Sequence, residues 1–369
     1  MKKINLALQG GGAHGAYTWG VIDRLLEEKD IEIEGISGTS AGAMNAAILA
    51  HGYCKGGKEG ARAALDEFWK AVSKLGSIKQ TPLDRMLYGW NLDGSMDYHM
   101  LDAMSRILSP YEFNPMNINV LQGVLEKMID FDALKNSKDI KLFISATNVQ
   151  TGRARVFNTE EVTVKVLLAS ACLPFMFQSV EINNHFFWDG GYMGNPSLWP
   201  LIYGCDSKDV LLVQINPLIR HKMPVKAHEI INRVSEISFN ASLIAEMRAI
   251  HFVSKMITNE SLDKNVYKHL RMHMIESSEA MQELNASSKM NTSWEFFVYL
   301  KNIGRNAADA WIQANMRHVG KISSLDIEQV FFPALLEEHP YLEDELPCSA
   351  LALPDHIKRR VGAGILDYQ

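Results

Sequence analysis

Two strand–helix units at the start of the chain restrict its fold more than any other feature of the sequence. The short apolar run Ile4–Leu8 predicts a buried strand, and Ala16–Glu28 has apolar residues at helical spacing. A second apolar stretch, Ile31–Ile36, predicts another strand before a helix over Ser40–His51. Strands that alternate with helices form parallel sheets that are covered on both faces. We therefore predict an α/β protein, a three-layer α/β/α sandwich with a mostly parallel central sheet.

The rest of the chain divides into a part that continues this alternation and a part that does not. The α/β pattern extends to Asp209–Ile215 and fades after Pro217. We therefore predict an α/β domain at residues 1–216 and a mainly helical C-terminal extension at residues 217–369, packed on the first domain or capping it. The other predicted segments are the loop Gly76–Asp97, the strands Lys141–Thr147, Arg155–Phe157 and Val180–Trp188, the helices Val162–Ser170, Lys226–Thr258 and Trp294–His318, and an edge strand at His269–Ile275.

The composition excludes several classes of protein for this chain of 369 residues. Its net charge of −6 provides no global positive field for nucleic acid. The four cysteines lie far apart with no CxxC pair, so they predict neither a zinc site nor a disulfide framework and indicate a reducing compartment. The N-terminus lacks the apolar core of a secretory signal, and no apolar stretch is long enough to span a membrane. We expect a cytoplasmic protein, although export without a signal would leave no trace in the sequence.

The first motif that bears chemistry is the glycine loop, Gly10–Gly15 (sequence GGGAHG), between the first strand and the first helix. Such glycines are typical of a tight turn. The loop also fits the dinucleotide-binding pattern G-x-G-x-x-G, for which Glu32 or Glu34 would hold the ribose. In either case, several backbone N–H groups lie at a helix N-terminus, where negative charge is stabilised. The loop alone leaves a turn, a nucleotide site and an anion site open.

The second motif, Gly38–Gly42 (sequence GTSAG), follows the second strand and opens the second helix. In this context G-x-S-x-G places a nucleophilic serine on a sharp turn. The glycines allow that turn, which exposes the Ser40 hydroxyl, and the helix dipole stabilises its alkoxide. The structural alternative for Ser40 is a plain helix N-cap. Because the glycine loop ends a neighbouring strand, its N–H groups and Ser40 would meet at the carboxyl edge of the sheet.

The third motif, Asp189-Gly190-Gly191, follows the strand-like segment that ends at Trp188. An aspartate before two glycines is common in turns. The functional interpretation is a carboxylate at a strand end, placed to accept the Ser40 proton directly. A general base of this kind contributes about 10²–10⁴-fold to a rate.

Together the three motifs resemble the patatin-like phospholipase family, which has a G-G-G oxyanion loop, a G-x-S-x-G elbow and a D-G-[GA] aspartate in this order. Weaker similarity follows at Ala146–Asn148 with Thr151-Gly152, and at Ala169–Pro174 before the aspartate strand. The resemblance covers about residues 3–216. One departure is His14, which stands in the glycine loop where many relatives have Arg or Lys.

The resemblance implies a lipid acyl hydrolase of the phospholipase or lysophospholipase type that works through a Ser40–Asp189 dyad. It implies no catalytic histidine, no metal and no other cofactor. Gly10, Gly11 and Gly12 would form the oxyanion hole. The glycines that support the motifs are Gly15, Gly38, Gly42, Gly190 and Gly191.

The substrate implied by the resemblance is a phospholipid or another acyl-ester lipid. Such a substrate entails transient contact with a membrane surface, so the cytoplasmic protein would be peripheral at membranes for part of its cycle. We expect no nucleic-acid partner, and the sequence leaves the oligomeric state open.

Two rival functions remain open from the residues. One is an α/β-hydrolase with a Ser–Asp–His triad, in which a downstream histidine such as His221 or His228 would be essential. The other is a non-enzymatic nucleotide-binding module that uses the glycine loop. Among the remaining histidines, we predict surface positions for His269 and His273, because they lie on an alternating segment without metal-ligand spacing.

Overall fold

The central sheet contains eight strands in the computed structural model, which describes residues 1–76, 80–220, 223–225, 227–263 and 266–333. The strands are β1 (Lys2–Leu8), β2 (Ile31–Thr39), β3 (Lys141–Asn148), β4 (Ala154–Asn158), β5 (Val180–Ile182), β6 (His185–Asp189), β7 (Asp209–Val213) and β8 (Arg271–Ile275). Their order is β5-β6-β3-β2-β1-β7-β8, and β4 pairs with β3 outside this path.

The strands from β3 to β8 in this order run parallel, whereas β4, β5 and β6 pair antiparallel. In the parallel part Leu8 lies opposite Gly38 on one side and opposite Val213 on the other. The carboxyl ends of β1, β2 and β7 therefore meet at one edge of the sheet. This arrangement, with helices on the sheet, confirms the predicted α/β/α sandwich.

The helices fill the connections between strands and most of the described residues after β7. They are α1 (Gly15–Leu26), α2 (Ala41–Ser73), α3 (Pro82–Tyr88), α4 (Met96–Ile107), α5 (Pro110–Phe113), α6 (Val120–Met128), α7 (Phe131–Asn136), α8 (Val164–Ser170), α9 (Trp199–Gly204), α10 (Ala227–Thr258), α11 (Ser278–Gln282), α12 (Trp294–Asn315) and α13 (Ile327–Phe331). Helix α2 is interrupted by non-helical backbone at Gly56 and Gly57. Within the described residues, no helix is both long and apolar enough to cross a membrane.

Elements from both halves of the chain build one compact unit, Met1–Asp326. β8 extends the sheet beyond β7, and α12 packs on α1. The two helices approach closely because each has a glycine at the crossing: a Cβ on Gly20 would overlap the Lys301 carbonyl oxygen, and a Cβ on Gly304 would overlap that of Tyr17. A second unit, Ile327–Gln369, is described only as far as Pro333. The predicted domain division at residue 216 stays a prediction.

Two local predictions are wrong, and that for Val180–Trp188 is right only in part. The predicted loop Gly76–Asp97 contains helix α3, which begins in a capping box formed by Thr81 and Asp84. The stretch Val180–Trp188 is a hairpin of β5 and β6 rather than one strand, because Asn183 and Asn184 both have positive φ in the turn between them. His269 is exposed as predicted, but His273 is fully buried.

Candidate active site

Ser40 lies on a strained turn between β2 and α2. Its backbone has φ 54° and ψ −122°, a conformation that residues other than glycine rarely adopt. The side chain makes no capping hydrogen bond, so the plain N-cap interpretation is wrong. Instead, the Ser40 N–H donates to Ser170 Oγ at 2.9 Å, and Ser170 Oγ donates to the Ser145 carbonyl at 2.7 Å. These two hydrogen bonds fix the backbone of the turn, and the Ser40 hydroxyl does not cap the helix.

The glycines around Ser40 are required by close backbone approach. A Cβ on Gly42 would overlap the Leu8 carbonyl oxygen at the end of β1. A Cβ on Gly38 would lie 2.7 Å from the Gly42 carbonyl oxygen, well inside van der Waals contact. These contacts seat the first turn of α2 directly on the neighbouring strand. The G-x-S-x-G motif therefore brings Ser40 beside the glycine loop that follows β1.

The glycine loop touches Ser40. A Cβ on Gly10 would lie 2.7 Å from Ser40 Cβ, and a Cβ on Gly15 would lie 2.6 Å from Ala41 Cβ. The Gly10 N–H donates to Asn195 Oδ1 at 2.7 Å and is therefore not free to bind a ligand. In the part of the chain that the structure describes, the N–H groups of Gly11 and Gly12 have no acceptor. Gly12 is exposed and has φ +58°.

Asp189 ends β6, and the helical turn Gly190–Tyr192 follows it. The carboxyl group is buried, and Asp189 Oδ1 accepts a hydrogen bond from the Gly191 N–H at 2.7 Å. Asp189 Oδ2 is buried without a hydrogen bond of normal geometry, although the Ser40 side chain is close enough to act on the carboxyl as a donor. A Cβ on Gly190 would overlap the Ser145 carbonyl oxygen, so this glycine lets the turn pack on β3.

Burial raises the pKa of Asp189 from 3.8 to about 6. The Gly191 N–H, the Ser40 side chain and the charge of Lys289 act in the opposite direction and lower this pKa. The result is a carboxylate that is ionised at neutral pH and is more basic than an ordinary aspartate. A group with these properties is suited to general base catalysis.

A buried amide network, which the sequence analysis missed, fixes the glycine loop from behind. Gln9 Oε1 accepts from the N–H groups of Ile215 and Asn216, at 2.8 and 2.9 Å. Asn216 Nδ2 donates to the Gly10 carbonyl oxygen at 2.8 Å, while Asn195 Oδ1 accepts from the Gly10 N–H. Gln9 and Asn216 follow β1 and β7 at the carboxyl edge, so polar residues after adjacent strands were the signal that could have found them.

No histidine among the described residues hydrogen bonds to Ser40 or Asp189. His14 is buried, and its Nε2 contacts Ser288 Oγ at 2.8 Å. Burial, together with the charges of Lys289 and Arg220, holds the pKa of His14 well below its usual value. Of the two histidines named for a triad, His221 lies outside the described residues, and the side chain of His228 is not described.

His273 does form a serine–histidine–aspartate chain, but at the opposite edge of the sheet. Its Nε2 lies 3.0 Å from Asp209 Oδ1 and its Nδ1 lies 2.8 Å from Ser324 Oγ. Asp209 also bonds to Arg271 and to the Gly320 N–H. Because Asp209 begins β7, whereas Ser40 follows the carboxyl end of β2, this group is a structural connection far from Ser40.

The two acids predicted for a nucleotide ribose are used elsewhere. Glu34 accepts from the N–H groups of Asp206 and Ser207, at 2.7 and 2.8 Å, and Glu32 pairs with Lys3. Both acids lie in the first half of β2, away from the carboxyl edge where the glycine loop begins. The dinucleotide interpretation therefore lacks its acidic residue.

Chelators are expected to leave activity unchanged. Among the described residues, no group of three or more His, Cys, Asp or Glu side chains is arranged to hold a metal ion. Turnover measured with excess EDTA, and again after calcium is added back, checks this expectation. A loss in EDTA that calcium restores would contradict it.

Comparison with known proteins identifies the family of the chain. Residues 6–202 match the family described as patatin-like phospholipase. Because this match covers more than half of the chain, the protein belongs to the patatin-like phospholipase family and is, in general terms, a lipid acyl hydrolase. No curated protein matches the chain.

Two solved structures are similar to the chain at low sequence identity. VipD from Legionella pneumophila is 15% identical with a TM-score of 0.33, and the alignment covers 94% of this chain and 82% of VipD. ExoU from the type III secretion system of Pseudomonas aeruginosa, in its complex with SpcU, is 14% identical with a TM-score of 0.32. That alignment covers 85% of this chain and 53% of the ExoU chain.

Proposed function

We propose that the protein is a serine hydrolase that cleaves acyl esters of phospholipids or lysophospholipids through Ser40 and Asp189. The observation that carries this proposal is the strained Ser40 turn. The Ser40 hydroxyl makes no capping hydrogen bond and lies beside the buried Asp189, and no histidine in the described structure contacts this aspartate. Strain of this kind persists where the surrounding structure enforces it, and it is concentrated at active sites.

The proposed reaction has two steps, acylation of Ser40 and then hydrolysis of the acyl–serine ester. Ser40 Oγ attacks the ester carbonyl while Asp189 accepts its proton, and the alcohol leaves with that proton. Water then attacks the acyl–serine ester, Asp189 takes a proton from the water, and the fatty acid leaves as Ser40 recovers its hydrogen. The N–H groups of Gly11 and Gly12 are proposed as the donors that stabilise each oxyanion. Gly10 is not proposed as a donor, because its N–H is bound to Asn195 Oδ1. It contributes by its small size, since a Cβ at this position would overlap Ser40 Cβ.

An apolar cavity of about 380 Å³ is evidence that a long acyl chain is the part of the substrate that enters the site. Its lining includes Leu168 and Ala171, the latter directly after the Ser170 that supports the Ser40 turn, and Met290. Its volume is within the range of small-molecule pockets, which are mostly apolar with few polar groups. We propose this cavity as the acyl-chain site.

The outer side of the cavity supports a lipid surface as the source of the substrate. Leu101 of α4 lines the cavity, while Met96, Met100 and Met104 on the same helix are 76%, 61% and 39% exposed. Exposed apolar patches of this kind mark interaction sites, and methionine adapts to irregular apolar surfaces. We propose that this face contacts the membrane transiently while a lipid is extracted. The cytoplasmic location predicted from the sequence stays a prediction.

A substrate panel tests the proposed function. Wild type and Ser40→Ala are compared on phospholipids, lysophospholipids and a short soluble ester. Each lipid is supplied in two forms: aggregated, as vesicles or micelles, and dissolved below its aggregation concentration. Wild type should release fatty acid, faster from aggregated lipid, and Ser40→Ala should release none. Equal turnover by both proteins would overturn the assignment of Ser40. Cleavage of only the short ester would overturn the lipid substrate.

Gly11→Ala is expected to lower turnover by about 10²–10³-fold with the fold intact, because it disturbs one oxyanion donor. A Cβ on Gly11 would lie 3.0 Å from Ile215 Cγ2, a tight contact that a small shift relieves. Turnover and thermal unfolding of the variant check both parts. Saturable NAD or FAD binding to wild type, abolished by the same substitution, would support the nucleotide-binding alternative instead.

A further inference from the structure

Lys289 lies against the glycine loop, although it is far from the loop in sequence. It belongs to the helical turn Ala286–Met290, which packs on the helical turn Gly12–His14. A Cβ on Gly12 would lie 2.6 Å from the Lys289 carbonyl oxygen and 3.4 Å from Lys289 Cβ. Any side chain at Gly12 would therefore displace this turn. The close approach places the lysine at the rim of the proposed oxyanion hole.

The ammonium group of Lys289 is bound to the network that holds the loop. Lys289 Nζ donates to Asn216 Oδ1 at 2.8 Å, and Asn216 Nδ2 donates to the Gly10 carbonyl oxygen. Lys289 forms no ion pair with a carboxylate among the described residues. The residue keeps part of its surface accessible, while its ammonium lies deep enough that burial lowers the pKa of Lys289. A cation without a directly bonded counter-ion acts on whatever negative charge develops nearby.

The glycine loop has no positive charge of its own. Its single ionisable side chain is His14, which is buried and contacts Ser288 Oγ. The pKa of His14 lies well below its usual value, so the imidazole is neutral at physiological pH. The nearby Glu236 is paired both with Arg220 at 2.7 Å and with Arg233 at 3.2 Å. Lys289 is thus a cation beside the loop that forms no direct ion pair within the described structure.

We propose that Lys289 is a positioning residue that supplies the positive charge beside the glycine loop during ester cleavage. The inference rests on the proposed function, because it assigns a role within the same reaction. The charge stabilises the oxyanion at the N–H groups of the loop, and the bond to Asn216 keeps the ammonium in place while the loop keeps its shape. A segment distant in sequence therefore replaces the basic residue that the loop lacks.

The charge of Lys289 also acts on the base, which provides a readout that a merely structural role would not change. A positive charge nearby lowers the pKa of Asp189, so its removal should raise that pKa and move the acid limb of the rate profile to higher pH. Among the other groups coupled to Asp189 or Lys289, Cys172, Tyr192 and Glu236 titrate outside the pH range of this limb. The pKa values of Cys172 and Tyr192 are raised to about 12, and the pKa of Glu236 is lowered.

The experiment compares variants that separate charge from hydrogen bonding. Lys289→Gln keeps a donor for Asn216 without the charge, Lys289→Met removes both, and Lys289→Arg retains the charge. The matched control is Lys268→Met, because Lys268 is another partly buried lysine, bound to the carbonyl oxygens of Ile202 and Cys205 before β7. The readouts are kcat/KM on a soluble ester and the rate at which a fluorophosphonate labels Ser40, each as a function of pH, with thermal unfolding to verify the fold.

Lys289→Gln and Lys289→Met should both react about 10- to 100-fold more slowly, a smaller loss than that of a directly bonded oxyanion donor. Their acid limbs should lie at higher pH, while Lys289→Arg should restore most of the rate and Lys268→Met should match wild type. A folded Lys289→Gln with the wild-type rate and limb would overturn the inference. The inference would also be overturned if Lys289→Gln and Lys289→Met react slowly, their acid limbs stay at the wild-type pH, and Lys289→Arg does not restore the rate. Wild type that is not labelled at Ser40 would instead show that the proposed function itself fails.

Discussion

Asp189→Asn is expected to reduce turnover by about 10²–10⁴-fold, the usual contribution of a general base. Asparagine keeps the size of the side chain, and its amide oxygen can still accept the Gly191 N–H that Asp189 Oδ1 accepts at 2.7 Å. It cannot take a proton from Ser40 at neutral pH. Initial rates at saturating substrate measure the loss, and near-wild-type turnover by a folded variant would contradict the role of Asp189 as the base.

The same substitution should make the protein more stable at alkaline pH. Burial raises the pKa of Asp189 from 3.8 to about 6, so the folded state favours the protonated carboxyl. This contribution is fully present below the unfolded pKa of about 4 and is lost as the pH rises through about 6. At pH 8 the ionised carboxylate therefore costs wild type about 3 kcal/mol, which asparagine avoids.

Urea unfolding of wild type and Asp189→Asn at pH 4 and pH 8 measures this difference. Glu246, whose pKa is raised to about 7 by burial, contributes equally to both proteins and cancels in the comparison. The gain in the free energy of unfolding should be larger at pH 8 than at pH 4. An equal gain at both values would show that the Asp189 pKa is not raised in the folded state.

Histidine substitutions are the matched test of the dyad. His14→Ala removes the histidine of the glycine loop and should cost less than about tenfold in turnover, or about 1.4 kcal/mol. The same limit is expected for His221 and His228. In a Ser–Asp–His triad, one histidine would be as important as Ser40. A single histidine substitution that inactivates a folded enzyme would therefore replace the dyad with the triad.

The parts of the site that could be predicted are those in which a strand or helix and the turn beside it lie in one contiguous segment of the chain. The glycine loop and the Gly38–Gly42 turn each lie between a strand and a helix, and the structure has those elements where they were predicted. Asp189 was found for the same reason, since it ends β6. The antiparallel hairpin that brings it under Ser40 was not predicted, because Asn183 and Asn184 were not recognised as a turn.

Two errors show where local patterns mislead. Thr81 and Pro82 are a readable helix start, but the glycines on either side of α3 suggested an uninterrupted loop. His273 lies on an alternating segment, which is typical of a strand with one exposed face. β8 is instead covered at this position, because Trp311 of α12 packs on the His273 ring and Ser324 bonds to it. Alternation alone does not reveal what a later segment will cover.

Asn195 and Lys289 act through tertiary contacts and could not be predicted. They come from separate segments and meet only around the glycine loop, where Asn195 binds the Gly10 N–H and Lys289 binds Asn216. No spacing in the sequence relates them, and each is an ordinary polar residue of a loop or turn. The role proposed for Lys289 depends on α12 and the turn before it packing on the first strand–helix unit, which is a property of the folded chain.

The central claim is that Ser40 is the nucleophile, and covalent labelling tests it most directly. Ser40 makes no capping hydrogen bond, so Ser40→Ala should leave stability nearly unchanged while it removes the reactive oxygen. Wild type, Ser40→Ala and Asp189→Asn are treated with a fluorophosphonate, and the modified peptide is identified by mass spectrometry. We predict one adduct on Ser40 in wild type, none in Ser40→Ala and slow labelling in Asp189→Asn. An adduct of equal yield on another residue in folded Ser40→Ala would contradict the account.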